Sequence, residues 1–194
     1  SRGLGDVYKR QTMSDILQRN IKIESHYIPV DVKIKEAILK RGDELNRSSP
    51  VRADHTQWKL HRNSEYNYFI DKFHEIYPKY RINELWGCTY RQGDYAEAHN
   101  HFGFDLAFVW FVDTCSFCSP LIFPDTQHLW MKPLHVITPE VGRLYVFNAE
   151  DIHYVEPHTC EHPRIIMSGN VRKNVETTRD PWLENEHRDY AGEV

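Results

Sequence analysis

Gly93-Asp94-Tyr95-Ala96-Glu97-Ala98-His99-Asn100-His101, followed by the apolar run Leu106 to Val112, decides how this 194-residue chain is read. In an extended strand, residues two apart share a face, with Cα atoms about 6–7 Å apart. His99 and His101 can therefore turn two ring nitrogens toward one ion. An antiparallel sheet can bring up a third donor from far along the chain, and His153 is the candidate. It follows Gly142-Arg143-Leu144-Tyr145-Val146-Phe147, which reads as a strand entered from a turn. Taken alone, a His-x-His pair fits hydrogen-bonded, half-buried histidines equally well.

On either side of this stretch the periodicity separates two helices from many short strands. Ile21 to Val30 reads as a strand. Lys33 to Leu45 places Ile34, Ala37, Ile38 and Leu45 at helical spacing, with a stop near Asn46. Tyr66, Phe69, Ile70, Phe73, Ile76 and Tyr77 form a stronger helical stripe, capped by Asn63 or Ser64 and ended by Pro78. Such an aromatic stripe is the face a helix packs on a sheet. After Pro78 the pattern alternates or becomes continuously apolar. Ile82 to Tyr90, Leu106 to Val112, 119–124, Leu134 to Thr138, Leu144 to Phe147 and Ile165 to Val171 read as strands separated by turns. The expected class is mainly β with flanking helices, a sandwich or jelly roll with N-terminal helices packed outside.

Bulk properties narrow the function. The chain is 40% hydrophobic and 27% charged, with a formal net charge of −4, a balance that argues against a large nucleic-acid footprint. No apolar stretch approaches the roughly 20 residues of a membrane helix, and residues 1–20 lack the apolar core of an export signal, so the expected location is cytoplasmic. Ser1 to Thr12 resembles translated adaptor read-through, which makes 1–12 a non-native leader and Met13 the expected start. One domain is expected over 13–172, with a helical lead-in (13–78) and a β core (79–172), followed by a charged tail from 173 to 194. Of the four cysteines, Cys115 and Cys118 form a lone Cys-x-x-Cys, which reads as loop thiols rather than a zinc or redox pair.

Arg164, Ile166, Ser168 and Asn170 share one face of the last strand, so polar groups point one way from an apolar segment. A buried arginine needs an anionic partner, and its planar fork suits a carboxylate.

These residues carry a resemblance. Trp86, Tyr90-x-x-Gly93-Asp94-Tyr95, His99-x-His101, Ser119-Pro120-Leu121-Ile122-Phe123, Pro139-x-x-Gly142-x-Leu144-x-x-Phe147, His153-x-Val155-x-Pro157 and Arg164 occur in an order similar to that of the iron(II)- and 2-oxoglutarate-dependent oxygenases. The resemblance is strongest to short phage and marine-bacterial members carrying His-x-His. It covers about two-thirds of the chain, with Thr56-x-Trp58 as part of the lead-in. It implies a double-stranded β-helix (the cupin-like jelly roll) that uses Fe(II), 2-oxoglutarate and O₂ to hydroxylate a substrate, releasing succinate and CO₂. It assigns metal binding to His99, His101 and His153, and contact with the far carboxylate of 2-oxoglutarate to Arg164 and Tyr90, with Ser168 nearby. His101 departs from the family, which usually has Asp or Glu there. Glu97 and Asp105 are the alternative carboxylate ligands. Gly93-(x)₅-His99-x-His101-(x)₃-Asp105 also resembles the first cupin motif, so a three-histidine cupin site independent of 2-oxoglutarate is the rival; Arg164 separates the two. A non-enzymatic interaction protein with core histidines is the third reading. The expected substrate is a protein side chain or a small molecule.

Overall fold

The computed structural model describes residues 21–128 and 130–174. The leader at 1–12 and nearly all of the charged tail lie outside the described residues. Two antiparallel sheets face each other. The larger has six strands in the order β1-β9-β6-β11-β4-β3, and the smaller has five in the order β2-β5-β10-β7-β8. The strands of the larger sheet are β1 (Ile23–Tyr27), β3 (Asp54–His55), β4 (Tyr80–Tyr90), β6 (Leu106–Asp113), β9 (Arg143–Asn148) and β11 (Arg164–Lys173). Those of the smaller are β2 (Val51–Arg52), β5 (Tyr95–His99), β7 (Leu121–Phe123), β8 (His135–Ile137) and β10 (His153–Val155). The expected jelly roll is the fold observed.

The central strands β4, β6 and β11 are buried on both faces, which is why their sequences are apolar without strict alternation. Their outward residues, among them Leu85, Phe108, Trp110, Ile165 and Met167, pack under the helices. Their inward residues, among them Trp86, Cys88, Tyr90, Val109, Phe111 and Ile166, meet the second sheet. Two hydrophobic clusters therefore lie on opposite faces of one sheet, and the inner one surrounds the candidate site.

The helices form where the 3.6-residue pattern places them. In α1 (Val32–Arg41), Asp31 caps the start by accepting the Lys33 N–H at 3.0 Å, and Ile34 and Ile38 are buried. The helix ends four residues before the expected Leu45, because Gly42 takes a φ of +61° and turns the chain away. At Gly87 of β4 the backbone passes so close that a Cβ would lie 2.7 Å from Ile38 Cγ2. Glycine there lets the helix seat on the sheet.

In α2 (Asn67–Ile76), Phe69 and Phe73 are fully buried, with ring centroids 4.8 Å from Trp110 and 4.9 Å from Phe108 respectively. The indole N–H of Trp110 donates to the carbonyls of Ile28 and Gly142, both at 3.2 Å. The aromatic stripe is thus core, as its spacing predicts. Asn63 makes no side-chain cap; the approach to α2 is instead two short 3₁₀ turns, Leu60–Arg62 and Ser64–Tyr66.

Candidate metal and anion site

The turn before β5 sets the position of the histidines. Gly93 adopts φ +89°, which favours glycine. The Asp94 carboxylate accepts the Arg91 N–H and the Arg47 Nη1, each at 2.8 Å. Gly93 N–H donates to the His158 carbonyl and His158 N–H to the Asp94 carbonyl, both at 2.7 Å. This latch ties the start of β5 to the loop that precedes Arg164.

From there β5 runs against β10 with Ala96 opposite Val155 and His99 opposite His153. Three steps along β5 thus match two along β10, and the extra residue makes a bulge. The bulge breaks the period-two rule, so Ala96 and His99 both face inward and line one cavity. Glu97 therefore turns outward, where its carboxylate accepts Arg52 Nε at 3.0 Å. His101 is not on the strand at all. It sits in the following loop, held by a 2.7 Å bond from its N–H to the Ala149 carbonyl. A single extended His-x-His strand, the basis of the sequence argument, is not what brings the pair together.

The convergence itself is as expected. His99, His101 and His153 each offer a ring nitrogen, all within 4.8 Å of one another. His99 Nδ1 lies 2.7 Å from the Glu97 carbonyl and His153 Nδ1 lies 2.9 Å from the Asp151 carbonyl. A carbonyl only accepts, so each Nδ1 carries its proton and leaves Nε2 as a lone pair. His101 Nε2 faces His153 Nε2 at 3.3 Å. Two nitrogens about 2.0–2.1 Å from a common ion stand roughly 2.9–3.4 Å apart at octahedral to tetrahedral angles, so the spacing fits a shared metal. Burial lowers the pKa of all three, His153 to about 3, with the neighbouring His99 adding to the effect there. The imidazoles are neutral donors at physiological pH.

Neither alternative carboxylate joins them. Glu97 points outward, and Asp105 Oδ2 accepts the Lys173 N–H at 2.7 Å. Among the described residues the donor set here is histidine alone.

Arg164, Tyr90 and Ser168 line the same cavity as the three histidines, together with Trp86, Cys88, Val109 and Ile166. The cavity itself is small, about 30 Å³, and opens to solvent on one side. Arg164 is the first residue of β11, directly opposite Tyr90 of β4. Its side chain is 0% exposed, and Nε, Nη1 and Nη2 have no hydrogen-bond partner. Its Cζ lies 4.7 Å from the centre of the Tyr90 ring and 5.2 Å from that of Phe111. Both rings flank the guanidinium at cation–π distance. Burial draws its pKa below the usual arginine value. A positive fork whose nitrogens have no hydrogen-bond partner, in a wall lined by apolar groups, has the chemistry to receive a carboxylate. Asn170, which shares the strand face in the sequence reading, donates instead to Glu84 Oε2 at 2.7 Å and does not line the cavity.

Sequence reasoning missed two features. His55 is fully buried against Trp58 and Trp86, and Trp86 lies 5.8 Å from the His101 ring; the short strand β3 that holds His55 carries no periodic signal. Cys160, distant in sequence, joins Cys115 and Cys118 in a three-thiol cluster.

No protein-family model and no curated protein sequence matches the chain. Solved structures do. A viral collagen prolyl hydroxylase from Paramecium bursaria Chlorella virus-1, solved with 2-oxoglutarate, aligns with TM-score 0.58 at 14% identity, covering 78% of this chain and 96% of that one. A Pseudomonas putida prolyl-4-hydroxylase gives 0.58 at 13% identity, covering 82% and 96%. The chain shares their fold. HygX from Streptomyces hygroscopicus, with nickel and 2-oxoglutarate bound, gives 0.56 at 9% identity, covering 85% and 87%. These likenesses extend over nearly the full length of each neighbour, so the fold they share with this chain is the whole jelly roll.

Proposed function

We propose that this protein is a non-haem Fe(II)- and 2-oxoglutarate-dependent dioxygenase that hydroxylates a substrate with release of succinate and CO₂. The observation that carries the reading is the pairing, in one cavity, of three converging imidazole nitrogens with a buried guanidinium that has no hydrogen-bond partner. The solved neighbours, two of them holding 2-oxoglutarate, support the same class. The kinship with short phage and marine-bacterial members rests on sequence motifs, His-x-His and the Thr56-x-Trp58 lead-in among them.

In this reading His99, His101 and His153 would hold the iron, and Arg164 would receive the far carboxylate of 2-oxoglutarate. When bound, the iron would supply the redox chemistry that couples oxidative decarboxylation of 2-oxoglutarate by O₂ to oxidation of a substrate C–H bond. The chain's own task is orientation. The Glu97 and Asp151 carbonyls fix the tautomers of His99 and His153 so that both Nε2 lone pairs face inward. Tyr90 and Phe111 flank the Arg164 guanidinium at cation–π distance and keep it in the cavity wall, where a carboxylate would meet it. Trp86, Val109 and Ile166 exclude water, which strengthens that ion pair. A histidine in place of the usual carboxylate leaves the metal with one more unit of net positive charge, and thus a stronger pull on anionic ligands.

The test is anaerobic titration of the Fe(II)-loaded protein with 2-oxoglutarate, read by visible absorption. A metal-to-ligand charge-transfer band is expected, followed by substrate-dependent succinate release in air. Stoichiometric iron without the band would sink the 2-oxoglutarate reading and leave the three-histidine, cupin-like metal site. With the activity in hand, screening peptides and small molecules by succinate release would identify the substrate.

A further inference from the structure

Away from the histidines, the described residues contain one other group of three metal-ligating side chains: Cys115, Cys118 and Cys160. The first two lie in the loop between β6 and β7, and the third in the loop between β10 and β11. Cys115 Sγ stands 3.6 Å from Cys118 Sγ and 3.4 Å from Cys160 Sγ, and all three sulfurs fall within 4.8 Å of one another. In a tetrahedral zinc site with Zn–S bonds of about 2.3 Å, neighbouring sulfurs are separated by roughly 3.8 Å. The observed triangle is close to that before any ion draws it into place.

The backbone is arranged for thiolates. Cys115 N–H points at Cys118 Sγ and His162 N–H at Cys160 Sγ, each at 3.3 Å. Peptide N–H groups directed at sulfur favour its anionic form, and they set the turn of a Cys-x-x-Cys knuckle. As a thiol, Cys118 reaches the His162 carbonyl at 3.6 Å, a long contact that a metal bond would replace. A disulfide uses only two of three thiols, whereas a metal uses all of them.

We propose that Cys115, Cys118 and Cys160 form a zinc site that clips the β6–β7 loop to the β10–β11 loop. Binding replaces the three thiol protons with one Zn²⁺, leaving the cluster with a net charge of −1. The fourth position is open to water or to the ring of His162, which now bonds through Nε2 to Asp113 Oδ1 at 3.1 Å. The site is distinct from the histidine centre by chemistry as well as place, because soft thiolates select zinc where imidazole accepts Fe(II). It has a positional consequence too. Cys160 precedes Arg164 by four residues, and His158, two residues before Cys160, is already latched to the turn before β5. The clip therefore anchors the chain entering β11 at the end where Arg164 sits.

The experiment starts from the full chain carrying His99→Ala and His153→Ala, so that the first site no longer competes. About one zinc per chain should remain by elemental analysis. Replacement by Co(II) should give intense near-ultraviolet thiolate-to-cobalt charge transfer, lost in Cys118→Ser. Against misfolding of that variant, thiol labelling of the unmutated protein gives an independent reading. Zinc should slow labelling of Cys115, Cys118 and Cys160 by at least about tenfold, reversed by a chelator, while buried Cys88 stays unlabelled throughout. Cobalt without a thiolate band, labelling unchanged by zinc, or a disulfide within the cluster in protein kept reduced would each overturn the proposal.

Discussion

Replacing Arg164 with methionine should move stability and ligand binding in opposite directions. In the free protein the guanidinium is 0% exposed and three of its nitrogens have no hydrogen-bond partner. Each buried, unsatisfied polar group costs about 1–3 kcal/mol, and a charged one belongs at the upper end. Methionine fills similar volume and keeps a sulfur near the Tyr90 and Phe111 faces, which offsets part of the lost cation–π contact, itself worth about 0.5–2 kcal/mol. The net expectation is a gain of about 1–3 kcal/mol for the ligand-free variant. For a domain of this size that raises Tm by roughly 2–12 °C. Binding of 2-oxoglutarate should fall, because removing one side of a buried charge pair costs about 2–5 kcal/mol, or roughly 30- to 5,000-fold in Kd. Thermal melts of metal-loaded protein, with and without 2-oxoglutarate, read both quantities. Loss of stability in the ligand-free variant, together with affinity within about threefold of the parent, would refute the assignment of Arg164 as an anion receptor.

Loss of a metal ligand should be separable from loss of its neighbour. His153→Ala should weaken Fe(II) or Ni(II) binding by more than the 10–100-fold typical of an outer-shell change, whereas Glu97→Gln should stay within about threefold, both measured by anaerobic competition titration. A large effect at Glu97 would mean that the outward-turning bulge does not describe the loaded site. Burial lowers His55 to about 4, so the unfolded chain, titrating near 6.5, takes up the proton first. Its contribution is level above pH 6.5 and is lost as pH falls toward 4, by roughly 1.4 kcal/mol per unit and on the order of 3 kcal/mol in all. Urea unfolding at pH 7 and pH 5 should therefore show a smaller acid loss in His55→Gln than in the parent; equal losses would rule out His55 as the source. Gly87→Ala would put a methyl 2.7 Å from Ile38 Cγ2 and should cost about 1–3 kcal/mol. Adding Ile38→Ala should cost less in that background than in the parent, a coupling that a double-mutant cycle by chemical denaturation would detect.

Much of this protein is written in local pattern. The aromatic stripe ending at Pro78 specifies a helix face, the unbroken run Leu106 to Val112 specifies a strand covered on both sides, and the polar positions Arg164 and Ser168 two and four residues apart from Ile166 and Arg164 mark the wall of a cavity. The three histidines are legible as candidates because residue type and spacing limit which rings can meet. What local pattern does not contain is register. The bulge opposite His153 arises from pairing between β5 and β10, and it alone turns Glu97 out and leaves Ala96 and His99 facing in. His101 reaches the site through a loop bond to Ala149, not through strand alternation. Cys160 meets Cys115, 45 residues earlier, and Cys118 beside it because two loops emerge at the same end of the jelly roll. Residue type and spacing were enough for the class of fold and the chemistry of the donors. Which donors converge depends on long-range pairing, because side-chain direction follows the period of a single strand until pairing inserts a residue or a loop and resets it.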